Sequence, residues 1–294
     1  MEQLQNEHLI VTLSAQGAEV QHVRDVATGR EYWWHGDSRY WAGRDPKLFP
    51  IVGRLWNNTA HMADGSQLTL PKHGFVRGTT WRLVSASATE ATYERTGTVA
   101  DYAIFPFAYR LSVTYRLEGR KLTVSYHVWN TGGAALSFQF GGHPAFVLPD
   151  WTEEDHTAGY IELEGHLSHL REVGPSGCVK AERLPLGPLA EGSIPITIER
   201  FEREALIFDE GQIAAATLMD KQRRPVVRVS SNAPVWLFWR PVGLNAPFIC
   251  IEPWYGLCDA EHYEGLFSER PYTQTLPAGD TEGWAGGLVM EFFP

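Results

Sequence analysis

Apolar and polar residues alternate along much of the chain, which is the pattern of β-strands that bury one face. The clearest case is residues 109–117, where every second residue is apolar, followed by a Glu-Gly-Arg turn at residues 118–120 and a second alternating run at residues 122–128. Alternation, a turn with glycine and alternation again predict an antiparallel hairpin. Shorter apolar runs at residues 9–13 and 235–239 predict further strands towards both ends of the chain.

Patterns with helical spacing are almost absent, and no fixed-period repeat or low-complexity linker divides the chain. Between Asp150 and Glu204 the sequence is rich in Gly, Pro and acidic residues and has little periodicity, which predicts long loops with short strands. We therefore expect an all-β fold, a large antiparallel β-sandwich that forms a single domain over residues 1–294. In such a fold we expect sites at strand ends or on a concave sheet.

The formal net charge of −10 argues against nucleic acid and anionic membranes as partners, because both bind basic surfaces. The N-terminus shows no basic segment before an apolar core, and no apolar run approaches the ~20 residues of a spanning helix, so we expect neither export by a cleaved signal nor a membrane span. The three cysteines make no paired-thiol metal motif, and an odd number is a poor disulfide framework. We therefore expect a cytoplasmic protein that binds a small, neutral molecule.

Two titratable residues end apolar runs and are each followed by a proline. His143 comes after two glycines and precedes Pro144, and Glu252 precedes Pro253 in a second apolar run. A residue before a proline is held in an extended conformation, and neighbouring glycines allow the backbone to bend or to approach a ligand closely. One constrained imidazole and one constrained carboxyl predict a site with an acid and a base.

One arginine and one histidine stand in two further stretches that are flanked by turn-forming residues. Arg54 lies in the apolar run of residues 49–55, where a long charged side chain either reaches out to solvent or points into a polar cavity. His73 precedes Gly74, which permits a close backbone approach, although a loop histidine bonded to the backbone gives the same pattern. Taken alone, each residue is more often structural than functional.

Other residues with ligating or reactive side chains are explained without chemistry. His166 and His169 lie three residues apart, a spacing that suits a metal on a helix, but the nearby glycines argue against a helix and we expect solvated loop histidines without a metal. Cys250 lies two residues before Glu252 and therefore faces the same side of a strand. Its apolar neighbours favour packing over nucleophilic chemistry.

Four stretches that combine glycines, prolines and titratable residues follow one another along the chain. They are Phe49-Pro50-Ile51-Val52-Gly53-Arg54-Leu55, Lys72-His73-Gly74-Phe75-Val76-Arg77, Gly141-Gly142-His143-Pro144-Ala145-Phe146 and Cys250-Ile251-Glu252-Pro253-Trp254-Tyr255-Gly256. Together, in this order and across most of the chain, they resemble the signature stretches of the aldose 1-epimerase (galactose mutarotase) superfamily, in its shorter bacterial branch.

The resemblance implies the galactose mutarotase-like β-sandwich and an aldose 1-epimerase activity. It carries His143 over as the general acid and Glu252 as the general base, and it makes Arg54 and His73 sugar-binding residues. Larger members of the family also hold sugar hydroxyls with an aspartate, for which Asp209 is the candidate in this chain.

Interconverting the α and β anomers of an aldose needs one acid and one base. The base removes the proton of the C1 hydroxyl while the acid protonates the ring oxygen, so that the ring opens, the C1–C2 bond rotates and the aldehyde recloses. Ionised Glu252 and protonated His143 form such a pair near neutral pH, if a neighbouring negative charge keeps the imidazole pKa up. The reaction requires no metal or cofactor, and we expect Trp254 or Tyr255 to pack against the sugar ring.

Other functions stay open. Glycoside hydrolysis uses two carboxylates, whereas Glu252 is the one carboxyl with a constrained setting. A non-catalytic sugar-binding module would use the same aromatic residues and hydrogen-bond donors, without a need for His143 and Glu252 in particular. A hexose-6-phosphate 1-epimerase should carry a cluster of Arg and Lys for the phosphate, and beyond Lys72, Arg77 and scattered arginines the sequence shows no such cluster. The sequence does not determine the aldose or the number of subunits.

Overall fold

The computed structural model describes residues 1–203 and 205–294 and consists mainly of β-strands and loops. The strands are β1 (Glu2–Gln5), β2 (Leu9–Ser14), β3 (Glu19–Asp25), β4 (Thr59–His61), β5 (Gln67–Thr69), β6 (Arg82–Ala86), β7 (Glu90–Thr96), β8 (Tyr109–Glu118), β9 (Lys121–Asn130), β10 (Leu136–Phe138), β11 (Phe140–Gly141), β12 (Ala145–Val147), β13 (Tyr160–Gly165), β14 (His169–Val173), β15 (Val179–Pro185), β16 (Ser193–Pro195), β17 (Ala205–Phe208), β18 (Ile213–Met219), β19 (Pro225–Ser230), β20 (Val235–Trp239), β21 (Phe248–Tyr255), β22 (Gln274–Leu276) and β23 (Trp284–Phe292).

Helical segments are short. They are α1 (Val99–Tyr102) and the 3-10 turns Trp56–Asn58, Gly187–Glu191, Glu199–Phe201 and Phe267–Glu269. Across the described residues, none of these segments has the length and the apolar composition that a membrane-spanning helix requires. The prediction that helices are almost absent is therefore confirmed for this part of the chain.

Two large antiparallel sheets contain most of the strands. In the described residues, the larger sheet has nine strands in the order β16-β13-β18-β19-β23-β9-β8-β7-β6. The other sheet has seven, with β11 and β12 both beside β21, followed by β20, β17, β14 and β15. Three small sheets, β1-β2-β3, β4-β5 and β10-β22, complete the fold. The hairpin predicted from the alternating pattern is β8 and β9, which pair from Tyr109 opposite Asn130 to Glu118 opposite Lys121.

The two large sheets face each other across the main hydrophobic core. Tyr126 of β9 contacts Phe140 of β11, with 4.6 Å between the ring centroids. Tyr255 of β21 contacts Trp284 of β23, with 4.9 Å between the centroids. These contacts join strands of different sheets, so the predicted antiparallel β-sandwich is confirmed.

Strand β21 is buried on both faces along its whole length. Ile249 and Ile251 belong to the core between the large sheets. Because side chains alternate along a strand, Cys250, Glu252 and Trp254 project to the opposite, outer face of the seven-stranded sheet. Loops cover this outer face, and a carboxyl group therefore lies inside the protein without being part of the sandwich core.

The segment between residues 150 and 204 agrees with its prediction of loops and short strands. It contains β13, β14, β15 and β16, separated by loops of several residues. Strands β14 and β15 extend the seven-stranded sheet, whereas β13 and β16 form one end of the nine-stranded sheet. This segment therefore contributes to both halves of the sandwich.

Candidate active site

His143 lies where the strand opposite β21 is interrupted. Strand β11 pairs Gly141 with Trp254, and β12 resumes the pairing in the same register at Ala145. Continued across the break, this register sets His143 directly opposite Glu252, and opposite residues of an antiparallel pair project from the same face. The His143 Nε2 and Glu252 Oε1 atoms are 3.3 Å apart. Two residues far apart in the sequence thus become cross-strand neighbours.

Glycine and proline shape the break in the strand as the sequence predicts. A Cβ atom on Gly142 would collide with the hydroxyl of Tyr126, so this position requires glycine. The carbonyl of Pro144 accepts a 3.2 Å hydrogen bond from the Ile251 N–H, which holds the chain against β21 after the break. The backbone on both sides of His143 is therefore fixed.

One oxygen of the Glu252 carboxyl accepts a hydrogen bond, whereas the other has no hydrogen-bond partner among the described residues. Trp254 Nε1–H donates a 3.2 Å hydrogen bond to Oε2. Oε1 is buried and has no hydrogen-bond partner among the described residues, although His143 Nε2 is close. Trp41 stacks on the imidazole of His143 with 4.8 Å between the ring centroids. Trp254 therefore orients the carboxyl and Trp41 orients the imidazole, while Oε1 stays available to a ligand.

A cavity of about 150 Å³ opens over this pair. Its described lining includes Trp41, His73, His143, Trp239, Glu252 and Trp254. An engineered protein cavity of this volume holds one benzene molecule, so the space suits a single six-membered ring. Aromatic faces together with a few polar groups are typical of a site for a small ligand.

Burial controls the proton that His143 and Glu252 share. Loss of solvation, opposed by a backbone hydrogen bond and assisted by the charges of Lys72 and Arg77, lowers the pKa of His143 to about 3. Loss of solvation raises the pKa of Glu252 well above its usual range, against the opposing effects of Lys72 and the Trp254 hydrogen bond. Both shifts favour the neutral forms of the pair, with the proton on Glu252. The prediction of ionised Glu252 beside protonated His143 differs from these directions, because burial disfavours both charged forms and the charges near the imidazole are cations.

His73 has its ring orientation and tautomer set by the backbone of Gly53. The residue adopts a left-handed conformation with φ of 67°, which is uncommon outside glycine. Its N–H donates to the Gly53 carbonyl at 2.7 Å, and the Gly53 N–H donates to its Nδ1 at 3.0 Å. Because Nδ1 accepts, Nε2 carries the hydrogen and can only donate. Burial, followed by the nearby charges of His143, Lys72, Arg77 and Arg54, lowers the pKa of His73 well below its usual value and keeps the ring neutral.

Trp41, Lys72 and Arg77 are among the lining residues that were not selected as site residues from the sequence. Lys72 and Arg77 lie at the cavity beside His73 and bring positive charge to it. Their place in the His73 stretch was a usable signal, since the same stretch carries a predicted site residue. Trp41 lies in a loop without strand periodicity, and no local pattern distinguishes it from a packing tryptophan.

Arg54 and Asp209 are not among the described residues that line the cavity. Arg54 Nη1–H donates to Asn58 Oδ1 at 3.1 Å, and its side chain lies behind Gly177, which does line the cavity. Asp209 Oδ1 is 2.7 Å from His169 Nε2, so its carboxylate is already paired. Their positions do not support the predicted direct contacts with sugar.

Two groups of side chains have the composition and spacing to hold a metal ion in the described part of the chain. One is His143, Cys250 and Glu252, and the other is His169, Asp209 and Glu210. His166 is exposed and belongs to neither group. The two histidines thus share no site, and the prediction of a solvated loop histidine is wrong for His169, which is buried in β14 and pairs with Asp209 at 2.7 Å.

A buried ion pair between Asp45 and Lys47 lies beside the loop that carries His143. Lys47 Nζ lies 2.5 Å from the Asp45 carboxylate, and the Lys47 side chain is completely buried. Burial raises the pKa of Asp45, while the Lys47 charge and the backbone N–H groups of Val20 and His143 oppose that rise. The carboxylate therefore interacts with the backbone of His143 itself.

The segment of residues 44–48 also holds both ends of this loop. Leu48 and Gly141 exchange two backbone hydrogen bonds of 2.9 and 3.1 Å. The Ala145 N–H donates to the Arg44 carbonyl at 3.1 Å. Contacts with residues 44–48 therefore hold this loop before His143, at His143 itself and after it.

The sequence model of one protein family, described as Aldose 1-epimerase, matches residues 2–279. Among curated proteins, the chain is 25% identical to the plasmid-encoded protein LacX of Lactococcus lactis subsp. lactis over 285 residues, which is 94% of each chain. The chromosomal LacX protein of the same organism is 26% identical over the same length and coverage.

Solved structures have the same fold over the whole chain. A galactose mutarotase-like protein from Lactobacillus casei superposes with a TM-score of 0.92 at 26% identity, covering 100% of both chains. A galactose mutarotase-related enzyme from Lactobacillus acidophilus superposes with a TM-score of 0.89 at 24% identity, covering 100% of this chain and 97% of the other. The fold inferred from the sequence resemblance is therefore the observed one.

The Asp45–Lys47 pair predicts a specific pattern of stability. Asp45→Asn should destabilise the protein by about 3–5 kcal/mol, because it leaves the Lys47 ammonium buried without a counter-charge. Adding Lys47→Met should restore most of the loss, because the buried charge is then removed as well. Denaturant unfolding of both variants measures the free energies of unfolding.

A surface pair provides the control for this experiment. Asp37 and Arg39 form an ion pair at 2.6 Å in which the arginine is largely exposed, so Asp37→Asn should change stability little. A double variant of Asp45 and Lys47 that stays as unstable as Asp45→Asn alone would contradict the role of charge pairing. Asp45 would then act mainly through its hydrogen bonds to the backbone.

Proposed function

The chain belongs to the aldose 1-epimerase family, and on that basis we propose that it interconverts the α and β anomers of an aldose by general acid and base catalysis. The observation that carries the proposal is the approach of His143 Nε2 to Glu252 Oε1, at 3.3 Å, in a cavity sized for one sugar ring. Both residues line that cavity, and Glu252 Oε1 has no hydrogen-bond partner among the described residues.

Ring opening moves one proton onto Glu252 and another from His143. The Glu252 carboxylate takes the proton of the C1 hydroxyl, and the electrons of that O–H bond form the C1 carbonyl. The bond between C1 and the ring oxygen breaks, and protonated His143 supplies a proton to the oxygen that leaves. After rotation about the C1–C2 bond the two residues exchange roles, and the ring closes as the other anomer.

The buried setting favours the state that follows ring opening. Before opening, the pair is Glu252 carboxylate and His143 imidazolium, and after opening it is the neutral acid and the neutral imidazole. Burial favours the neutral arrangement, since it raises the pKa of Glu252 and lowers that of His143. The ionised arrangement gains support from the sugar hydroxyls and from the Trp254 N–H, which donates to the carboxylate. The ionised and the neutral arrangement therefore differ less in free energy than they would if burial acted alone.

Substrate binding rests on residues that line the cavity. His73 offers its Nε2–H to a sugar oxygen, and the rings of Trp254 and Trp41 offer apolar faces to the sugar ring. Arg54 contributes indirectly in this proposal, by supporting the cavity wall at Gly177. Asp209 is left out, because its carboxylate is paired with His169.

A hexose 6-phosphate is the second candidate substrate, and the position of Arg77 favours it. Arg77 is exposed and lines the cavity beside His73, and Lys72 adds a second positive charge there. A guanidinium binds phosphate with paired, charge-assisted hydrogen bonds. The same acid and base would act on C1 of the phosphorylated sugar.

Glycoside hydrolysis has less support from the geometry. It uses two carboxyl groups about 5–10 Å apart. Among the described lining residues, Glu252 is the one carboxyl group, and its neighbour is a histidine. A binding module without catalysis is distinguished by the next experiment.

Glu252→Gln and His143→Asn should each lower the catalysed mutarotation rate by ~10²- to 10⁴-fold while sugar binding persists. Glutamine keeps the shape of the side chain but has no basic carboxylate, and asparagine cannot supply the imidazole proton. The double variant should lose little more than the worse single variant, because both residues act in one transfer. Polarimetry of freshly dissolved α-glucose and α-galactose measures the rate, and NMR titration measures binding.

Glu164→Gln and His127→Asn are matched controls at sites outside the cavity, and both should retain the wild-type rate. Wild-type protein that binds aldoses and hexose 6-phosphates but leaves their mutarotation at the spontaneous rate would refute catalysis. The sugar-binding module would then be the better description.

His73→Ala should weaken sugar binding more than Arg54→Ala does. Loss of one neutral hydrogen bond, worth about 0.5–1.5 kcal/mol, raises the sugar dissociation constant by roughly 2- to 13-fold. Arg54 stands behind the cavity wall, so its removal should have a smaller effect. A larger loss of affinity in Arg54→Ala, with an unchanged melting curve, would show that its guanidinium reaches the sugar after all.

Arg77→Ala separates the two candidate substrates. If a 6-phosphate binds at Arg77, this variant should lose roughly 10- to 100-fold in kcat/KM for glucose 6-phosphate, equal to the ~1.5–3 kcal/mol of a charged hydrogen bond. Its kcat/KM for glucose should change little, because neutral glucose lacks the phosphate. Equal losses for both sugars would assign Arg77 to the hydroxyls common to both.

A further inference from the structure

Cys250 places a thiol beside the proposed acid and base. It lies on the same face of β21 as Glu252, two residues away, and it pairs with Ala145 just after the His143 break. The ligand atoms of His143, Cys250 and Glu252 all lie within 4.8 Å of one another, and the three residues are buried. Imidazole, thiolate and carboxylate are the three side-chain ligands that zinc prefers.

The geometry of the pair suits coordination as well as proton transfer. Tetrahedral zinc bonds of ~2.0–2.2 Å to nitrogen and oxygen set those two ligand atoms about 3.3–3.6 Å apart. The measured separation of His143 Nε2 and Glu252 Oε1 is 3.3 Å. Glu252 Oε1 is also buried and lacks a hydrogen-bond partner among the described residues, so it is available to a cation.

We propose that His143, Cys250 and Glu252 bind one Zn²⁺ ion, or another thiophilic divalent cation, and that the bound ion blocks the site. Three protein ligands leave a fourth position for water on the cavity side, as in many zinc sites. Binding displaces the thiol proton of Cys250 and the proton shared by the other two residues, which leave to solvent. The metal site is inferred from the three side chains alone, whereas inhibition by the bound ion rests on the proposed function.

The ion acts as an inhibitor because its ligands include both groups that must transfer protons. A lone pair of Glu252 bound to zinc cannot take the C1 proton, and a coordinated imidazole nitrogen cannot carry one. The other group, His169, Asp209 and Glu210, is the competing location, although two of its ligand atoms already pair with each other at 2.7 Å. The experiment must therefore distinguish the two groups.

The test compares the untagged wild-type protein with Cys250→Ala and with Cys178→Ala, a matched variant at another buried cysteine. The polarimetric rate of each protein is measured with increasing Zn²⁺ and expressed relative to its own zinc-free rate. Wild type and Cys178→Ala should be inhibited with a stoichiometry of one ion per chain, and EDTA should restore the rate. Cys250→Ala should need at least about tenfold more Zn²⁺, since even a partner of a zinc ligand contributes ~10- to 100-fold in affinity.

A second measurement does not depend on activity. Co²⁺ in place of Zn²⁺ should give a thiolate-to-cobalt charge-transfer band in wild type and Cys178→Ala, and no such band in Cys250→Ala. If Cys250→Ala does not fold, Cys250→Ser takes its place and the wild-type band remains decisive. A cobalt band in a protein without mutarotase activity would support the metal site and refute the proposed function.

Three results would overturn the proposal. The first is a wild-type protein that binds no Zn²⁺ at micromolar concentration in equilibrium dialysis. The second is equal inhibition of wild type and Cys250→Ala. The third is the loss of zinc inhibition in His169→Ala together with the absence of a thiolate-to-cobalt band in wild type, which would assign the ion to the group around Asp209.

Discussion

The site depends on the register of one interrupted strand pairing. Strands β11 and β12 hold the same register against β21 on both sides of a three-residue break, and this sets His143 opposite Glu252. A shift by one residue would turn both side chains to other faces of the sheet and remove the site without changing the fold. The close contact of Gly142 with Tyr126 and the backbone bonds from residues 44–48 secure that register. The approach of His143 to Glu252 therefore depends first on backbone pairing and only then on the two side chains.

Burial has opposite consequences for the two charged pairs of the site. Asp45 and Lys47 have a separation of 2.5 Å that allows them to remain charged inside the protein, and their role is to hold the chain near His143. His143 and Glu252 face a cavity and share one proton, and burial favours their neutral form. Paired charges that remain in place suit structural support, whereas an imidazole and a carboxyl kept neutral at a cavity can exchange protons with a ligand.

The sequence predicted those parts of the structure that local patterns encode. The β8–β9 hairpin follows from alternation, and the constraint on His143 follows from its glycines and proline. The partner of Asp209 could not be predicted, because it depends on the pairing of β14 with β17, which brings His169 opposite. Asp45 and Lys47, separated by one residue, have the local pattern of a solvated loop, and burial depends on how the loop packs against the sheet. Local sequence identifies constrained residues, and long-range register decides which of them meet.

The hydrogen bonds between His73 and the backbone of Gly53 also determine that this edge of the cavity donates hydrogen bonds. With Nδ1 occupied by the Gly53 N–H and the ring neutral, His73 presents a donor to whatever lies above it. Lys72 and Arg77 beside it are donors as well. A hydroxyl can accept hydrogen bonds from these donors with its oxygen lone pairs. A protonated amine has no lone pair and is repelled by the positive charges of Lys72 and Arg77. This edge of the cavity therefore favours groups that offer lone pairs over protonated amines.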